Sequence, residues 1–546
     1  MAMALDFRTC NTVLARWNAA ANRAELLYLD GIGRRFSYRI DGERTEQQAP
    51  VIPSLIHYNA DGKRLLGEEV LSQGLVQHPG TFRWSKLDVL NNLTHARRVG
   101  EDRITPQQAA ARIVQQALTT ALTTLGNLQD EELVVTMPVE AFNHYIDWLE
   151  EAVRGAFRGR ISFVDEATAC ILGYLEAVRP GAIYLVVDIG GGTLDSAVVK
   201  INPKLDGPQK CQVLGRAGDE IGGSLVDRWM FEAMKEAQQL SEADVREVGT
   251  PLLFAIEDAK IRLSSGETRV EVSQYNDVTL RQIAHTFTPG DLTTILKKRE
   301  FFKRVGSVVK RSLEIARDKY AVKERDVQGV FMVGGTSLLL GVREHLETLL
   351  PDIPVSLRDP FGSIAAGACR LVEHEVEAAT VHDYGLEFWN REKKAFDFEI
   401  MIPKGTPFPT DGVLAAKYIG TAYDNATELN LVVWECSDAL AREDGGIQVG
   451  TDGRLIQKAS GAAKRTQARR ALNEWARDFI RPDPPCGREE SKRFVVGFEL
   501  DADQRCLVWV KDLRPGNRSQ AAMPGGRLAP LPLEGYPLVK LGRKKA

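Results

Sequence analysis

The segment that most constrains the fold of this chain is Ile183-Tyr-Leu-Val-Val-Asp-Ile-Gly-Gly-Gly-Thr-Leu-Asp-Ser-Ala-Val-Val199. An apolar strand ends at Asp188, three glycines make a tight turn, and a second apolar strand follows. Glycines let backbone N–H groups approach an anion closely, so the turn suits a phosphate. Asp188 and Asp195 place carboxylates beside it, where a hydrated magnesium ion can bridge them to phosphate. The segment is not a P-loop, because it lacks Gly-Lys-Ser/Thr and no helix opens immediately. The alternative is a plain β-hairpin.

A second segment of the same design lies at the N-terminus. An apolar strand ends at Asp6, and a polar turn leads into another strand from Val13. Two such hairpins predict two related half-domains facing each other across a cleft, each with one carboxylate and one set of turn donors. A third turn, Phe331-Met-Val-Gly-Gly-Thr-Ser337, precedes a helical pattern from Val342, which puts a helix N-terminus beside a ligand phosphate or sugar. Each turn alone can be structural, but the three together predict a binding cleft.

Composition indicates a multi-domain globular protein of 546 residues, 44% of them apolar and 26% charged. Seventy basic residues against 74 acidic ones give a net charge of −4, which argues against nucleic-acid or membrane-surface binding. The 7 cysteines form no Cys-x-x-Cys pair, so neither a zinc site nor a disulfide framework is indicated. The N-terminus has no signal-peptide pattern and no apolar run is long enough to span a bilayer, so we expect a cytoplasmic protein.

The pattern along the chain changes near residue 375. Residues 1–375 mix apolar strands with amphipathic helices, which is an α/β pattern. Helices are predicted there over residues 106–125, 141–157, 223–237 and 298–319. Residues 376–383 are a predicted linker.

Residues 384–513 are predicted to form an antiparallel β domain. Its strands are expected over residues 396–402, 429–434, 494–500 and 506–510. One inserted helix is predicted because a single apolar stripe recurs at helical spacing, at Ala468, Leu472, Trp475 and Phe479. Residues 514–546 are rich in Pro and Gly and are predicted to be an irregular tail.

In these motifs the chain resembles the seventy-kilodalton heat-shock chaperones of the DnaK type, members of the actin-like ATPase superfamily. Asp188-Ile-Gly-Gly-Gly-Thr-Leu-Asp195 matches the family's second phosphate motif. Further segments resemble family motifs in the same order along the chain: Thr81-Phe-Arg-Trp-Ser-Lys86, Val134-Val-Thr-Met-Pro138, Val164-Asp-Glu-Ala-Thr-Ala-Cys-Ile-Leu-Gly-Tyr174 and Ile221-Gly-Gly-Ser-Leu-Val-Asp227. The resemblance implies a two-lobed α/β actin-like ATPase with ribonuclease-H-like halves, followed by an antiparallel β-sandwich-like domain with the inserted helix.

A candidate adenosine site lies on one helix. Glu257, Lys260 and Ser264 occur at i, i+3 and i+7 and therefore share a helix face. A carboxylate, an ammonium and a hydroxyl so arranged could hold ribose hydroxyls and a purine edge. The alternative for an isolated helix is a solvated ion pair. The segment Glu257-Asp-Ala-Lys-Ile-Arg-Leu-Ser264 is similar to the family's adenosine helix, and the resemblance adds three residues of the adenosine motif: Gly334, Gly335 and Thr336.

The resemblance implies roles for the remaining candidates. Asp6 and Asp188 would hold magnesium through water. Lys86 would offset charge on the transferring γ-phosphoryl group of ATP, and Glu166 with Asp195 would orient the attacking water. The expected phosphate-side residues are Thr9, Cys10, Asn11, Gly190, Gly191, Gly192, Thr193, Gly222 and Gly223. The alternatives are that Lys86 is a surface lysine and that Glu166 is an acid favoured by a helix N-terminus.

The chain departs from the family pattern at several positions. Arg8 replaces a glycine of the first phosphate motif, where it could crowd the β- and γ-phosphates or bind them as a fork. Cys10 replaces a hydroxyl. Leu338 and Leu340 replace an arginine and a proline, which removes an arginine that stacks on adenine, and Phe361 replaces an aspartate.

The C-terminal segments resemble the family's peptide-binding strands more weakly. Phe398-Glu-Ile-Met-Ile-Pro-Lys-Gly-Thr-Pro-Phe-Pro409 and the segment 498–509 carry this likeness. A β domain of this kind could bind a client peptide in extended form. The helical lid and the leucine-rich linker of the family are missing from the pattern. The predicted inserted helix is basic, which suits a solvated face or an acidic partner, with Lys464, Arg465, Arg469, Arg470, Arg477 and Arg481.

These observations predict an ATP-dependent chaperone-like protein that binds and slowly hydrolyses ATP with Mg²⁺. Its expected partners are unfolded client polypeptides and a co-chaperone, with no nucleic acid and no membrane. The main alternative is a nucleotide-binding scaffold with weak or no hydrolysis. A second alternative is an actin-like sugar kinase or filament protein, because fold does not determine function.

Overall fold

The computed structural model describes residues 2–40, 46–59, 61–91, 93–126, 132–138, 143–174, 178–201, 209–371, 375–380, 382–390, 395–404, 406–421, 424–429, 431–440, 447–449, 455–457, 467–473, 485–487, 492–501, 506–513 and 539–540. The chain forms two compact units. The first comprises Met1–Ala141, Trp148–Val376 and Arg442–Lys464, and the second comprises Phe142–Asp147, Glu377–Ala441 and Arg465–Ala546. In the described part of the chain, no helix is both long enough and apolar enough to cross a membrane.

Residues 1–371 alternate between strands and helices. The strands are β1 (Ala2–Asp6), β2 (Asn11–Asn18), β3 (Arg23–Leu26), β4 (Arg34–Tyr38), β5 (Gln47–Pro53), β6 (Ile56–Tyr58), β7 (Arg64–Leu66), β8 (Thr81–Phe82), β9 (Arg97–Val99), β10 (Asp102–Ile104), β11 (Glu132–Met137), β12 (Arg160–Asp165), β13 (Ile183–Ile189), β14 (Leu194–Ile201), β15 (Gln209–Asp219), β16 (Val270–Asn276), β17 (Arg281–Phe287), β18 (Val327–Val333) and β19 (Val355–Leu357). The helices are α1 (Glu68–Ser72), α2 (Ser85–Leu90), α3 (Pro106–Leu125), α4 (Asn143–Arg154), α5 (Glu166–Gly173), α6 (Gly223–Ala237), α7 (Glu242–Ser264), α8 (Pro289–Lys298), α9 (Phe301–Tyr320), α10 (Val342–Leu349) and α11 (Ser363–Leu371).

Two sheets of the first unit repeat one topology. In the first, β1 pairs antiparallel with β2 and parallel with β11, and β12 lies outside β11. In the second, β13 pairs antiparallel with β14 and parallel with β18, and β19 lies outside β18. The two related half-domains predicted from the hairpins are therefore present.

The helices that follow the two outer strands cross each other closely. A Cβ atom at Gly367 of α11 would lie 1.7 Å from the carbonyl oxygen of Ala169 in α5. A Cβ atom at Gly173 of α5 would lie 2.2 Å from the carbonyl oxygen of Ser363. Glycine at both positions lets the two backbones approach, which brings the two sheets together at one end.

The helix predictions in the first unit are confirmed. The helices predicted over 106–125 and 223–237 are α3 and α6, with the same bounds. Those predicted over 141–157 and 298–319 are the shorter α4 and the shifted α9. Helix α3 begins at Pro106 because Thr105 and Gln108 form a capping box, and it ends at Gly126 in a left-handed conformation.

The second unit contains two antiparallel sheets. Residues 375–540 add β20 (Glu375–Ala379), β21 (Asp383–Asn390), β22 (Ala395–Ile402), β23 (Pro407–Phe408), β24 (Ala415–Ile419), β25 (Val432–Leu440), β26 (Ile447–Val449), β27 (Leu455–Gln457), β28 (Gln467–Ala471), β29 (Phe494–Leu500), β30 (Cys506–Asp512) and β31 (Val539–Lys540). Of these strands, β26 and β27 belong to the first unit. One sheet has the order β22-β21-β25-β28 and the other β24-β29-β30-β31. Both contribute side chains to one apolar core that includes Leu386, Val433, Val496 and Phe498.

The predicted inserted helix is wrong where the structure describes it. Residues Gln467–Ala471 form β28, which pairs antiparallel with β25. The pairing continues past the strand, because Leu472 donates to the carbonyl oxygen of Val433 and the Asn473 side chain accepts from the N–H of Val433. Helical spacing of apolar residues is a local pattern, and here the backbone partners offered by β25 override it. Trp475 and Phe479 of the stripe lie outside the described residues.

Other boundaries in this region also differ from the predictions. The strand expected from residue 429 begins at Val432, and part of the predicted linker is the strand β20. Val539–Lys540 pair with Leu507 and Val508 of β30, so an irregular tail is wrong for these two residues. The rest of residues 514–546, and the basic residues Lys464, Arg465, Arg477 and Arg481, lie outside the described residues.

Candidate functional site

Two predicted carboxylates meet where the hairpins of the two half-domains end. Asp6 is the last residue of β1, and Asp188 is the penultimate residue of β13. Both are buried, with exposures of 0% and 3%. Burial raises the pKa of Asp188 to about 7, and the negative charge of Asp6 adds to this rise. Each half therefore contributes one acid to the same place.

The glycine turns join into one backbone surface. The carbonyl oxygen of Gly190 accepts hydrogen bonds from the N–H of Gly223, at 3.1 Å, and from the Thr336 hydroxyl, at 2.7 Å. A Cβ atom at Gly222 would lie 2.7 Å from the carbonyl carbon of Gly191, so the two backbones are in contact there. The turns that follow β13 and β18 thus meet the start of α6.

A cavity of about 350 Å³ opens at these turns, a size typical of small-molecule sites. Most of the residues predicted to bind a nucleotide line it: Thr9, Cys10, Asn11, Gly190, Gly191, Gly223, Glu257, Lys260, Ser264, Gly335 and Thr336. The other predicted binding residues belong to the same turns without lining the cavity: Gly192, Thr193, Gly222 and Gly334.

The predicted adenosine helix is the last part of α7. Lys260 is 8% exposed, and its ammonium group lies 2.7 Å from Asp227 of α6 and donates to the carbonyl oxygen of Gly223. Burial raises the pKa of Asp227 to about 6, although Lys260 opposes this. The alternative of a solvated ion pair is therefore wrong for Lys260. Ser264 donates to the carbonyl oxygen of Lys260 and remains at the cavity wall.

Arg83 is a cavity residue that sequence reasoning missed. Its guanidinium lies between the rings of Trp84 and Phe254, 3.6 Å from each ring centroid, and it binds Glu257 at 2.6 Å. Arg83 stands three residues before Lys86 in a segment that already resembled a family motif. The sequence around Arg83 does not show its role, because its partners Phe254 and Glu257 belong to a helix more than 170 residues away in the chain.

The predicted catalytic residues form a buried charged group beside the hairpins. Lys86 in α2 and Glu166 in α5 are 3% exposed, and their side chains lie 2.7 Å apart. The alternative that Lys86 is a surface lysine is therefore wrong. Glu166 lies in the first turn of α5, which is the position expected if it is an acid favoured by a helix N-terminus. Asp195 of β14 lies directly opposite Asp188 of β13, so the two side chains share a face of the sheet.

Arg8 occupies the space beside Asp6. Its Nε donates to Asp6 Oδ2 at 2.5 Å, and one terminal nitrogen donates to the carbonyl oxygen of Pro360 at 3.3 Å. The other terminal nitrogen, Nη2, is buried and has no hydrogen-bond partner among the described residues. Asp6 Oδ1 accepts from the Thr136 hydroxyl at 2.8 Å. Both oxygens of Asp6 are thus engaged by protein donors, one of them a cation.

An apolar and aromatic wall lies on another side of the cavity. Phe361 packs against Phe36 and Tyr38, with 5.0 Å between ring centroids in each pair. Leu338 also lines the cavity. The departures at positions 338 and 361 therefore lie together with aromatic residues of β4, and the wall they form suits the face of a flat ring.

Cys10 lies on the cavity side of the first turn. Its sulfur is 3.9 Å from a carboxylate oxygen of Glu257, and burial raises the pKa of the thiol to about 12. The side chain is therefore a neutral thiol that donates weakly where the family has a hydroxyl.

Comparison with known proteins identifies the family. The model of the Hsp70 protein family matches residues 44–445. The chain belongs to the Hsp70 family. This confirms the resemblance found in the motifs, and with it the two-lobed actin-like ATPase fold and the ATP-binding chaperone function of Hsp70 proteins.

Individual Hsp70 relatives are distant. The chaperone protein DnaK of Halobacterium salinarum is 25% identical over 505 residues, which cover 89% of this chain and 71% of that protein. DnaK of Thermoplasma volcanium is 26% identical over 410 residues, covering 72% and 63%. DnaK of Elusimicrobium minutum is 27% identical over 334 residues, covering 58% and 50%. This Hsp70 chain is therefore a divergent one.

Proposed function

We propose that this chain is an ATP-dependent chaperone that binds ATP or ADP in the cavity of its first unit and hydrolyses ATP slowly. In the same proposal, the β-rich second unit binds extended apolar segments of unfolded polypeptides. The observation that carries the proposal is the convergence of the glycine turns and the α7 residues on one cavity.

The cavity supports a nucleotide bound along its length. The N–H groups of the turns at Thr9 and Gly190 would donate hydrogen bonds to phosphate oxygens. Glu257, Lys260 and Ser264 would hold the sugar and part of the purine, and Phe361 with its aromatic neighbours would contact the face of the base.

The buried group around Lys86 supports slow hydrolysis. Lys86 would offset charge on the γ-phosphoryl group, and Glu166 with Asp195 would orient water. The ammonium is already bound to Glu166, so part of its charge is compensated before any nucleotide binds. A slow reaction is the expected consequence.

The predicted magnesium role does not fit Asp6. A cation held through water needs the negative charge of that carboxylate, but the Arg8 guanidinium is bound to it. A second positive ion beside Arg8 is repelled. The proposed function therefore uses no step in which Asp6 holds a metal. This arrangement also favours the alternative function, a nucleotide-binding scaffold with weak or no hydrolysis.

Peptide binding by the second unit is supported by an exposed apolar face. Trp389 of β21 and Phe396 of β22 are opposite each other, with 5.3 Å between ring centroids and exposures of 46% and 70%. Ile400 of β22 is 50% exposed. β22 ends its sheet in the described order, so an extended segment can pair with it while its side chains contact these rings.

Nucleotide turnover tests the first half of the proposal. We expect the Lys86→Ala variant to retain ATP binding and to lose at least tenfold in ATP hydrolysis, because the charge next to the γ-phosphoryl group is removed. Lys63→Ala is the matched control, because it removes a lysine that is exposed on the surface, and it should leave turnover unchanged. Equal turnover in wild type and Lys86→Ala would remove Lys86 from the mechanism, and no turnover in wild type would favour the scaffold.

Fluorescence anisotropy of a labelled, unfolded apolar peptide tests the second half. We expect binding by the full chain, a dependence on ATP, and at least tenfold weaker binding by the double variant Trp389→Ser and Phe396→Ser. Val278→Ser, which removes an exposed apolar side chain of the first unit, is the control. Peptide binding that is equal in all three proteins would exclude this face, and no binding at all would exclude the chaperone function.

A further inference from the structure

The cavity of the first unit contains a positive charge that belongs to the protein. Arg8 lines the cavity, whereas Asp6 behind it does not. The guanidinium is bound through Nε to Asp6 and through Nη1 to the carbonyl oxygen of Pro360. A ligand in the cavity therefore meets the guanidinium of Arg8 before the carboxylate of Asp6.

The position of Arg8 is defined by the fold. Its own carbonyl oxygen accepts from the Ser54 hydroxyl at 2.8 Å, and the N–H of Ser54 donates to the carbonyl oxygen of Cys10 at 2.8 Å. The backbone of the turn that carries Arg8 is thus hydrogen-bonded to Ser54, the residue that follows β5. The guanidinium itself is held by its hydrogen bonds to Asp6 and to the carbonyl oxygen of Pro360, so its charge is preorganised.

One donor of this guanidinium is unused. Nη2 is buried and has no hydrogen-bond partner among the described residues. A buried N–H group without an acceptor is unfavourable, and a guanidinium forms strong charge-assisted bonds with phosphate oxygens. Thr9 follows Arg8 in the chain, and a Cβ atom at Gly191 would lie 3.3 Å from Thr9 Cβ. Both residues line the cavity and belong to the turns whose N–H groups suit phosphate.

Two of the carboxylates near Arg8 are already paired with cationic side chains. Asp6 is paired with Arg8, and Glu166 is paired with Lys86. Asp188 remains as the second predicted metal-holding carboxylate, and Arg8 lies close enough to interact with it electrostatically. A metal ion placed between Asp6 and Asp188 would have to approach a guanidinium, whereas a nucleotide phosphate is attracted to it.

We propose that the Arg8 guanidinium takes the place of the divalent cation, so that this chain binds ADP and ATP as free nucleotides without Mg²⁺. The inference rests on the proposed nucleotide site and deepens it. Arg8 supplies one fixed positive charge and one hydrogen bond from Nη2 to a phosphate oxygen. Magnesium is then not required for nucleotide binding.

Titration calorimetry of the full chain with ADP, once with excess magnesium chloride and once with excess EDTA, tests the inference. We expect dissociation constants that agree within about threefold in the two buffers. Binding that occurs only with magnesium would overturn the inference and leave the proposed function intact. Absence of binding in both buffers would instead overturn the proposed function, and the inference with it.

The variant Arg8→Met assigns the effect to the side chain. We expect this variant to weaken ADP binding in EDTA at least tenfold, because the cation that binds phosphate is removed. We also expect its binding to depend on magnesium, because the negative charge of Asp6 is no longer compensated by a guanidinium. Arg23→Met, an exposed arginine in the same half-domain, is the control for net charge and should bind like wild type. If Arg8→Met binds ADP in EDTA as tightly as wild type, Arg8 does not replace the metal. The wild-type comparison does not depend on whether Arg8→Met folds.

Discussion

The β1–β2 and β13–β14 hairpins have the same backbone topology, but they differ in how the charge of their aspartate is compensated. Each places an aspartate at the end of a central strand, between an antiparallel and a parallel neighbour. Asp6 receives Arg8 from its own turn and the Thr136 hydroxyl from its parallel neighbour. Asp188 has a glycine turn and Gly334 at the end of its parallel neighbour, and its Oδ1 is buried without a hydrogen-bond partner in the described residues.

This difference shows that a repeated topology does not repeat a binding role. The backbone decides where the two carboxylates lie. The side chains of the turns decide whether each carboxylate is already neutralised, and a single residue, Arg8, makes the two halves unequal. The largest consequences are expected from changes at the two aspartates and at the residues packed against them.

The largest effect is expected on the Asp188 side, from Gly334→Ala. Gly334 has φ +82°, and a Cβ atom there would lie 2.2 Å from Asp188 Oδ1. The strained backbone and the collision each cost about 1–3 kcal/mol, so we expect a loss of about 4 kcal/mol in the free energy of unfolding by urea and loss of ADP binding. Gly181→Ala also has a positive φ but meets no atom within 4 Å, and it should lose only about 1 kcal/mol. Similar losses in both variants would show that Asp188 is not packed as described.

A smaller effect separates the two aspartates themselves. Asp6→Asn leaves the Arg8 guanidinium buried without its counter-charge, and we expect a loss of about 3 kcal/mol in the free energy of unfolding. Asp188→Asn removes a buried charge that has an unused oxygen, so its stability should change by less than about 1 kcal/mol or increase. Urea denaturation of both variants measures the contrast. Equal losses would mean that the hairpins are electrostatically alike.

The smallest effect is expected at a third carboxylate, Asp244, which lies away from the cleft. It tests whether the partners of a buried carboxylate decide how much that carboxylate stabilises the fold. Burial alone raises its pKa, but hydrogen bonds from Ser241, Thr279 and Asn276 outweigh burial and lower the pKa to about 2. Because the folded pKa lies below the ordinary aspartate pKa of 3.8, the stabilisation is present above about pH 4 and is lost as pH falls towards 2. We expect Asp244→Asn to cost about 2 kcal/mol at neutral pH and almost nothing at pH 2.

Urea denaturation at a series of pH values gives this difference directly. Asp291→Asn is the matched control, because Asp291 forms the same capping box at α8 on the exposed surface. We expect it to cost less than about 1 kcal/mol at neutral pH. A cost for Asp244→Asn that is independent of pH would exclude hydrogen-bonded ionisation as its cause.

Several features of the site could be predicted from short segments. The hairpins ending at Asp6 and Asp188, the glycine turns and the helix face with Glu257 and Lys260 all follow from local patterns. The apolar stripe from Ala468 predicts a helix by the same logic, and that prediction is wrong because pairing with β25 determines the conformation of Gln467–Ala471. A local pattern predicts a structure well only where no distant backbone competes for its hydrogen bonds.

The amino-acid order alone determined which residues carry acids, glycines and hydroxyls at the turns, and therefore the family and the kind of ligand. Tertiary structure decided how those groups are partnered: Arg83 between two aromatic rings, Lys86 with Glu166, and Arg8 on Asp6 rather than free for a phosphate fork. The physical reason is that the charge available to a ligand depends on distances between groups far apart in the chain. Those distances exist only after the two half-domains have packed together.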